Sequence, residues 1–109
     1  METSTVPNAP ANSRTVYQVL DHLGRHGRVW IEIGDEDANE ETIVQWIIEG
    51  QFSHPLRVIA FNTDEGWARD VTRDIAWKLF GLNRSGTDLG AAAREFVERL
   101  TGETPTVTI

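Results

Sequence analysis

The chain has 109 residues, 39% hydrophobic and 25% charged, with a formal net charge of −7: one domain in length, and apolar enough to pack a core. It contains no cysteine, which excludes disulfides, cysteine-bound zinc, iron–sulfur clusters and a thiol nucleophile. No apolar run approaches the ~20 residues of a membrane span, the opening Met1-Glu2-Thr3-Ser4 lacks the charged and apolar regions of a leader, and a pI near 4.8 sets the chain against duplex nucleic acid and anionic membrane.

Residues 1–13, with two prolines and no apolar period, predict a disordered tail ahead of a single domain over residues 14–102. Val16, Val19, Leu20 and Leu23 fit a helical period, so a helix over Thr15–Leu23 is one reading. Val16-Tyr17-Gln18-Val19 is rich in strand formers, however, and Gly24-Arg25-His26-Gly27 is a turn signal. Beyond it Val29, Ile31 and Ile33 alternate with Arg28, Trp30 and Glu32, the period of a strand. The preferred reading is a β-hairpin with a four-residue turn, which sets Trp30 near Asp21, beside Val19 and Tyr17.

Acidic residues from Asp35 to Glu41 precede Thr42–Glu49, where Ile43, Val44, Ile47 and Ile48 share a helical face and Gly50 occupies the stop position. Leu56-Arg57-Val58-Ile59-Ala60-Phe61 reads as a central strand buried on both faces, lying parallel to the second strand. A second helix is predicted from an N-cap at Thr63, with Trp67, Ala68, Val71, Ile75, Ala76 and Leu79 as its stripe and Gly81 as its end. A third runs from about Asp88 to Leu100, with Arg94–Glu98 and Glu95–Arg99 as surface pairs. Residues 103–109, broken by Pro105, predict a frayed C-terminal tail, with an edge strand as the lesser alternative. The predicted fold is a single two-layer α+β domain of order ββαβαα: an N-terminal β-hairpin plus a third strand packed against helices.

The stretch Val58-Ile59-Ala60-Phe61-Asn62-Thr63-Asp64-Glu65-Gly66-Trp67-Ala68-Arg69-Asp70-Val71 resembles a family of small uncharacterised bacterial proteins that share V-x-A-F-N-T-x-E-G-W-x-R-D-V. Upstream, Val19-Leu20-Asp21 through Gly24, Gly27, Arg28, Trp30 and Glu32 matches a strand–turn–strand of that family, and the similarity covers most of residues 16–100. It implies no activity, cofactor or catalytic residue, and it sides with the hairpin over the helix for residues 16–33.

The candidate sites divide by chemistry. His22 and His26, with Glu32 or Asp21 as a third ligand, have metal-pair spacing, but the turn glycines remove them from a common helical face. Asp35, Asp37 and Asn39 open like a calcium loop, which then fails at Glu40 and Trp46. Gly24-Arg25-His26-Gly27 spells a GxxG, yet a strand follows it and the chain is acidic. No metal and no cofactor is expected.

The predicted strand–helix junction gathers Asn62, Thr63, Asp64, Glu65, Arg69 and Asp70, where a ligand would meet free helix N–H groups. Asp64 or Asp70 would serve there as a base and Arg69 as an anion holder. Asp64 and Glu65 repel such an anion, and no nucleophile motif accompanies them, so catalysis is not the favoured reading. Asn62, Thr63, Asp64, Arg69 and Asp70 remain the ligand-binding candidates.

Aromatic and charged residues point to a surface instead. Tyr17, Trp30, Glu32 and Trp77 fall on otherwise polar faces. From Val29 to Leu56 there are seven carboxylates and no Lys or Arg, so the acidity is local. The expected function is that of a non-catalytic interaction module in the cytoplasm, with an unknown protein partner or a weak homodimer; the alternative is a small-molecule-binding or hydrolytic domain at Asn62–Asp70.

Overall fold

A computed structural model describes residues 15–34 and 39–107. The N-terminal tail expected at residues 1–13, Asp35 and Asp37 of the calcium-like loop, and the last two residues lie outside the described residues. The elements are β1 (Val16–His22), β2 (Arg28–Ile33), α1 (Glu40–Ile48), β3 (Pro55–Asn62), β4 (Trp67–Asp70), α2 (Thr72–Arg84) and α3 (Ala91–Thr101). The domain is α+β as expected, but of order ββαββαα.

The hairpin forms, and residues 16–22 are strand rather than helix. Its connection is longer than expected. Leu23 N–H donates to Gly27 O at 2.7 Å around a 3-10 turn, Gly24–His26, flanked by Gly24 and Gly27 at φ 64° and 82°, values that suit a residue without Cβ. Leu23 thereby joins the loop, and the pairing becomes Leu20 with Trp30 and Val19 with Ile31. A one-residue change of register exchanges the two faces of a strand. Tyr17 and Val19 therefore enter the core instead of flanking Trp30.

The sheet is antiparallel throughout, in the order β2-β1-β3-β4. β3 does run in the direction of β2, but β1 lies between them, so the expected parallel neighbours are not adjacent. β3 is also buried on one face only. Val58 and Ala60 are in the core, whereas Ile59 and Phe61, on the other side, are half-buried. A bulge at Leu56 shifts the β1–β3 register between Leu20 and Asp21, and the buried Asp21 carboxylate bridges it. Its two oxygens accept from Ser53 N–H at 2.9 Å and His54 N–H at 2.6 Å. That answers the desolvation cost of a buried carboxylate with two charge-assisted bonds.

The predicted start of the second helix is instead a turn and a strand. Asn62 Oδ1 accepts from Glu65 N–H at 2.8 Å, Asn62 O accepts from Gly66 N–H at 2.8 Å, and Gly66 takes φ 77°. The chain folds back as β4, with Asn62 opposite Trp67 and Ile59 opposite Asp70. Helix α2 starts only at Thr72, whose hydroxyl accepts from Val58 N–H at 2.9 Å and lies against Asp70 Oδ1. It continues past Gly81 to Arg84.

Helix α1 begins where Asn39 Oδ1 accepts from Thr42 N–H at 2.8 Å, and the expected stop glycine, Gly50, takes φ 76°. Helix α3 starts at Ala91, three residues later than predicted. Val19, Val58, Ile43, Ile75, Leu79, Phe96 and Val97 form the centre of the core, between the helices and one sheet face. Residues 103–107 are docked rather than frayed: Pro105 is buried, Thr106 N–H donates to Asn83 Oδ1 at 2.8 Å, and Asn83 Nδ2 donates to Thr106 O at 3.1 Å. No strand forms there.

Candidate functional site

Strand register sorts every sheet residue onto one of two faces. Toward the helices point Tyr17, Val19, Asp21, Ile31, Ile33, Val58, Ala60, Asn62, Trp67 and Arg69. Toward the other side point Val16, Gln18, Leu20, Arg28, Trp30, Glu32, Arg57, Ile59, Phe61, Ala68 and Asp70. An antiparallel sheet with one solvated face ordinarily alternates apolar inward and polar outward. This sheet departs from that rule. Its helix-free face carries Val16, Leu20, Trp30, Ile59, Phe61 and Ala68, and Trp30 is 47% exposed.

Charged residues border this apolar strip. Glu32 is exposed across from Gln18 on the β2 side, and Arg57 pairs with Asp70 at 3.0 Å on the β4 side. Burial alone would raise the Asp70 pKa. The hydrogen bonds from the Thr72 hydroxyl and N–H, with the Arg57 guanidinium, outweigh it and hold the carboxyl below its ordinary value.

Of the expected interaction residues, Trp30 and Glu32 share this face and Tyr17 does not. Tyr17 is buried in the core, and that burial, with Glu40 nearby, raises its phenol pKa. Trp77 is 48% exposed, edge-on to Phe80 at 5.8 Å, but it belongs to the helical layer on the opposite side of the sheet from Trp30.

The expected ligand-binding residues are dispersed. Thr63 and Asp64 lie in the β3–β4 turn, and buried Asn62 holds that turn closed. The Arg69 guanidinium lies over the Trp67 ring, 5.3 Å from its centroid, while Asp70 points to the other face. The N–H groups of Glu65, Gly66 and Thr72 already have acceptors within the chain.

His22 Nδ1 accepts from Gly24 N–H at 3.0 Å and belongs to the turn, and His26 is exposed beyond it. Among the described residues no group of three or more His, Cys, Asp or Glu is arranged to hold a metal.

Of two further features the sequence marked only the Glu95–Arg99 pair, which forms as expected. His54 and Glu95 (3.4 Å), Glu95 and Arg99 (3.0 Å), and the bond from Arg99 to Pro55 O (2.8 Å) tie α3 to the start of β3. Their partners are 41 to 44 residues apart except for the i,i+4 pair. A groove of about 570 Å³ runs between α1 and α2, lined by Glu41, Val44, Gln45, Lys78, Gly81, Leu82 and Ser85. Lys78 bridges to Glu40 and Glu41 at 3.3 and 3.2 Å, and the hydrogen bond to Glu41 chiefly raises its pKa.

Among the described residues no helix is long and apolar enough to cross a membrane. No family model, curated protein or solved structure matches this chain.

Proposed function

We propose that the chain is a non-catalytic protein-interaction module whose contact surface is the helix-free face around Trp30. One observation carries this reading: an apolar strip that ends in a half-exposed tryptophan on the edge strand, on a sheet face that no described helix covers. Exposed apolar strips with a polar border are how soluble domains present a partner surface. Tryptophan is the side chain that contributes most to such contacts. The small-molecule alternative at Asn62–Asp70 draws less support, since Arg69 and Asp70 face opposite ways and Asp64 lies in the β3–β4 turn.

The test is a photo-crosslinking amino acid placed at Leu20 or Ile59 in the living cell, with Glu98 on α3 as the control position. Protein adducts are expected from the two sheet positions and not from the control. Equal adducts from Glu98, or none from the sheet, overturn the reading.

A further inference from the structure

The sheet has two edges, and they are built differently. At the β4 edge the strand has only four residues, carries Arg69 and Asp70, and follows a tight turn. A short charged strand is a standard protection against pairing with another chain. At the β2 edge the six-residue strand Arg28–Ile33 has no proline, lysine or glycine. Its Val29 and Trp30 are exposed, and among the described residues its outer side pairs with nothing.

The phase of the ladder shows which groups this edge offers. Leu23 N–H bonds to Gly27 O across the hairpin, and His22 N–H bonds to His54 O on the β3 side. Hydrogen-bonded and non-bonded pairs alternate along an antiparallel ladder. Asp21, Val19 and Tyr17 therefore exchange bonds with Val29, Ile31 and Ile33. Arg28, Trp30 and Glu32 direct their N–H and C=O groups outward.

The sequence of this edge is self-complementary. In Arg28-Val29-Trp30-Ile31-Glu32 the charges have opposite sign at equal distances from Trp30, and the apolar residues between them match. We infer that the partner is a second copy of this chain, paired antiparallel along β2 about a twofold axis through Trp30, so that the helix-free face runs on across both copies. This rests on the interaction-module reading and names its partner.

In that register Trp30 lies opposite the partner's Trp30, and Arg28 lies opposite the partner's Glu32, all on the helix-free face. Val29 meets the partner's Ile31 on the helical side. Each outward residue exchanges both main-chain bonds with its counterpart. Moving the axis to Val29 or Ile31 leaves a charge facing tryptophan, and moving it to Arg28 or Glu32 sets like charges together. The Trp30-centred register alone pairs every charge with its opposite along the strand.

The test is sedimentation equilibrium of the full chain over a hundredfold concentration range, with far-UV circular dichroism to verify the fold. Arg28→Glu and Glu32→Arg are each expected to raise the dimer Kd about tenfold or more, because each turns two attractive cross-strand pairs repulsive. The double variant restores opposite signs and returns the Kd to that of the native chain. Glu98→Arg, on α3 and away from the sheet, leaves the dimer in place.

Amide exchange gives an independent readout. Trp30 and Glu32 N–H gain protection as concentration rises, while Val29 and Ile31 are protected throughout. A folded double variant that stays monomeric overturns the register, as does dissociation by Glu98→Arg as strong as that by Arg28→Glu. A native chain monomeric at every concentration overturns the second copy as partner. If Leu20 and Ile59 still crosslink another protein, the interaction-module reading survives that result; if they do not, it falls as well.

Discussion

Residues of the same type carry different weight here according to the face they occupy. Phe96 of α3 is fully buried in the core, so Phe96→Ala is expected to lower stability by ~3–5 kcal/mol through lost contacts and a cavity. Phe61, on the helix-free side, is half-buried, and Phe61→Ala should cost well under half as much in the same urea titration. Asp21 offers a sharper case. Asp21→Ala leaves the Ser53 and His54 N–H groups without their acceptor at the bulge, and a loss of ~1–3 kcal/mol is expected. Equal midpoints for Asp21→Ala and the native chain would mean that the bulge does not depend on this carboxylate. Neither contrast was legible in the sequence. Phe61 sits in a continuous apolar run that reads as buried on both faces, and Asp21 gives no sign of its role at the bulge because its partners are more than thirty residues away.

At the level of elements, the joint between β4 and α2 depends on a charge. Asp70 accepts from Thr72 N–H at 2.9 Å and pairs with Arg57, and its pKa is lowered. A carboxyl more acidic in the folded chain than in the unfolded one adds stability above its unfolded pKa. That contribution is lost as pH falls through the lower folded value. Asp70→Asn should therefore be less stable than the native chain near neutrality, and the gap should close as pH falls below about 4. A gap that is constant with pH, in thermal melts from neutrality to acid, would detach the carboxylate from this role.

The strand that Asp70 ends was hidden for a definite reason. Trp67, Ala68 and Val71 fall in phase with Ile75, Ala76 and Leu79, so a helical period extends back through them. Four residues are too few to display a strand period of their own. The turn was marked only by Asn62 and Gly66. Helix α1, by contrast, was legible to within two residues, because its apolar stripe and its terminal Gly50 agree with one another; it begins at Glu40 rather than Thr42 because Asn39 caps it.

Across the whole molecule, the two-layer architecture was legible from the alternation of strand and helix periods, and the strand order was not. Nothing in residues 16–33 states that β1, rather than β2, takes the centre of the sheet. That placement follows from long-range packing of Val19 against Val58, and it makes Arg28–Ile33 an edge. If two copies join there, folding and association are linked, and ligation of the folded state raises its apparent stability. The melting temperature of the native chain should rise with protein concentration, whereas that of Arg28→Glu should not. Calorimetry at two concentrations a hundredfold apart decides this, and parallel behaviour of both proteins would uncouple stability from assembly.

The unlike edges also set how far assembly can go. A sheet open on both sides adds copies without limit, in the manner of a fibre. Here, among the described residues, one margin of each copy is long and lacks the protection of the other, and a twofold pairing consumes it on both partners at once. What then lies at the two outer ends is β4, with four residues, Arg69, Asp70 and a tight turn. The resulting eight-stranded sheet is closed to growth at either end, so the same strand that joins two copies leaves no place for a third.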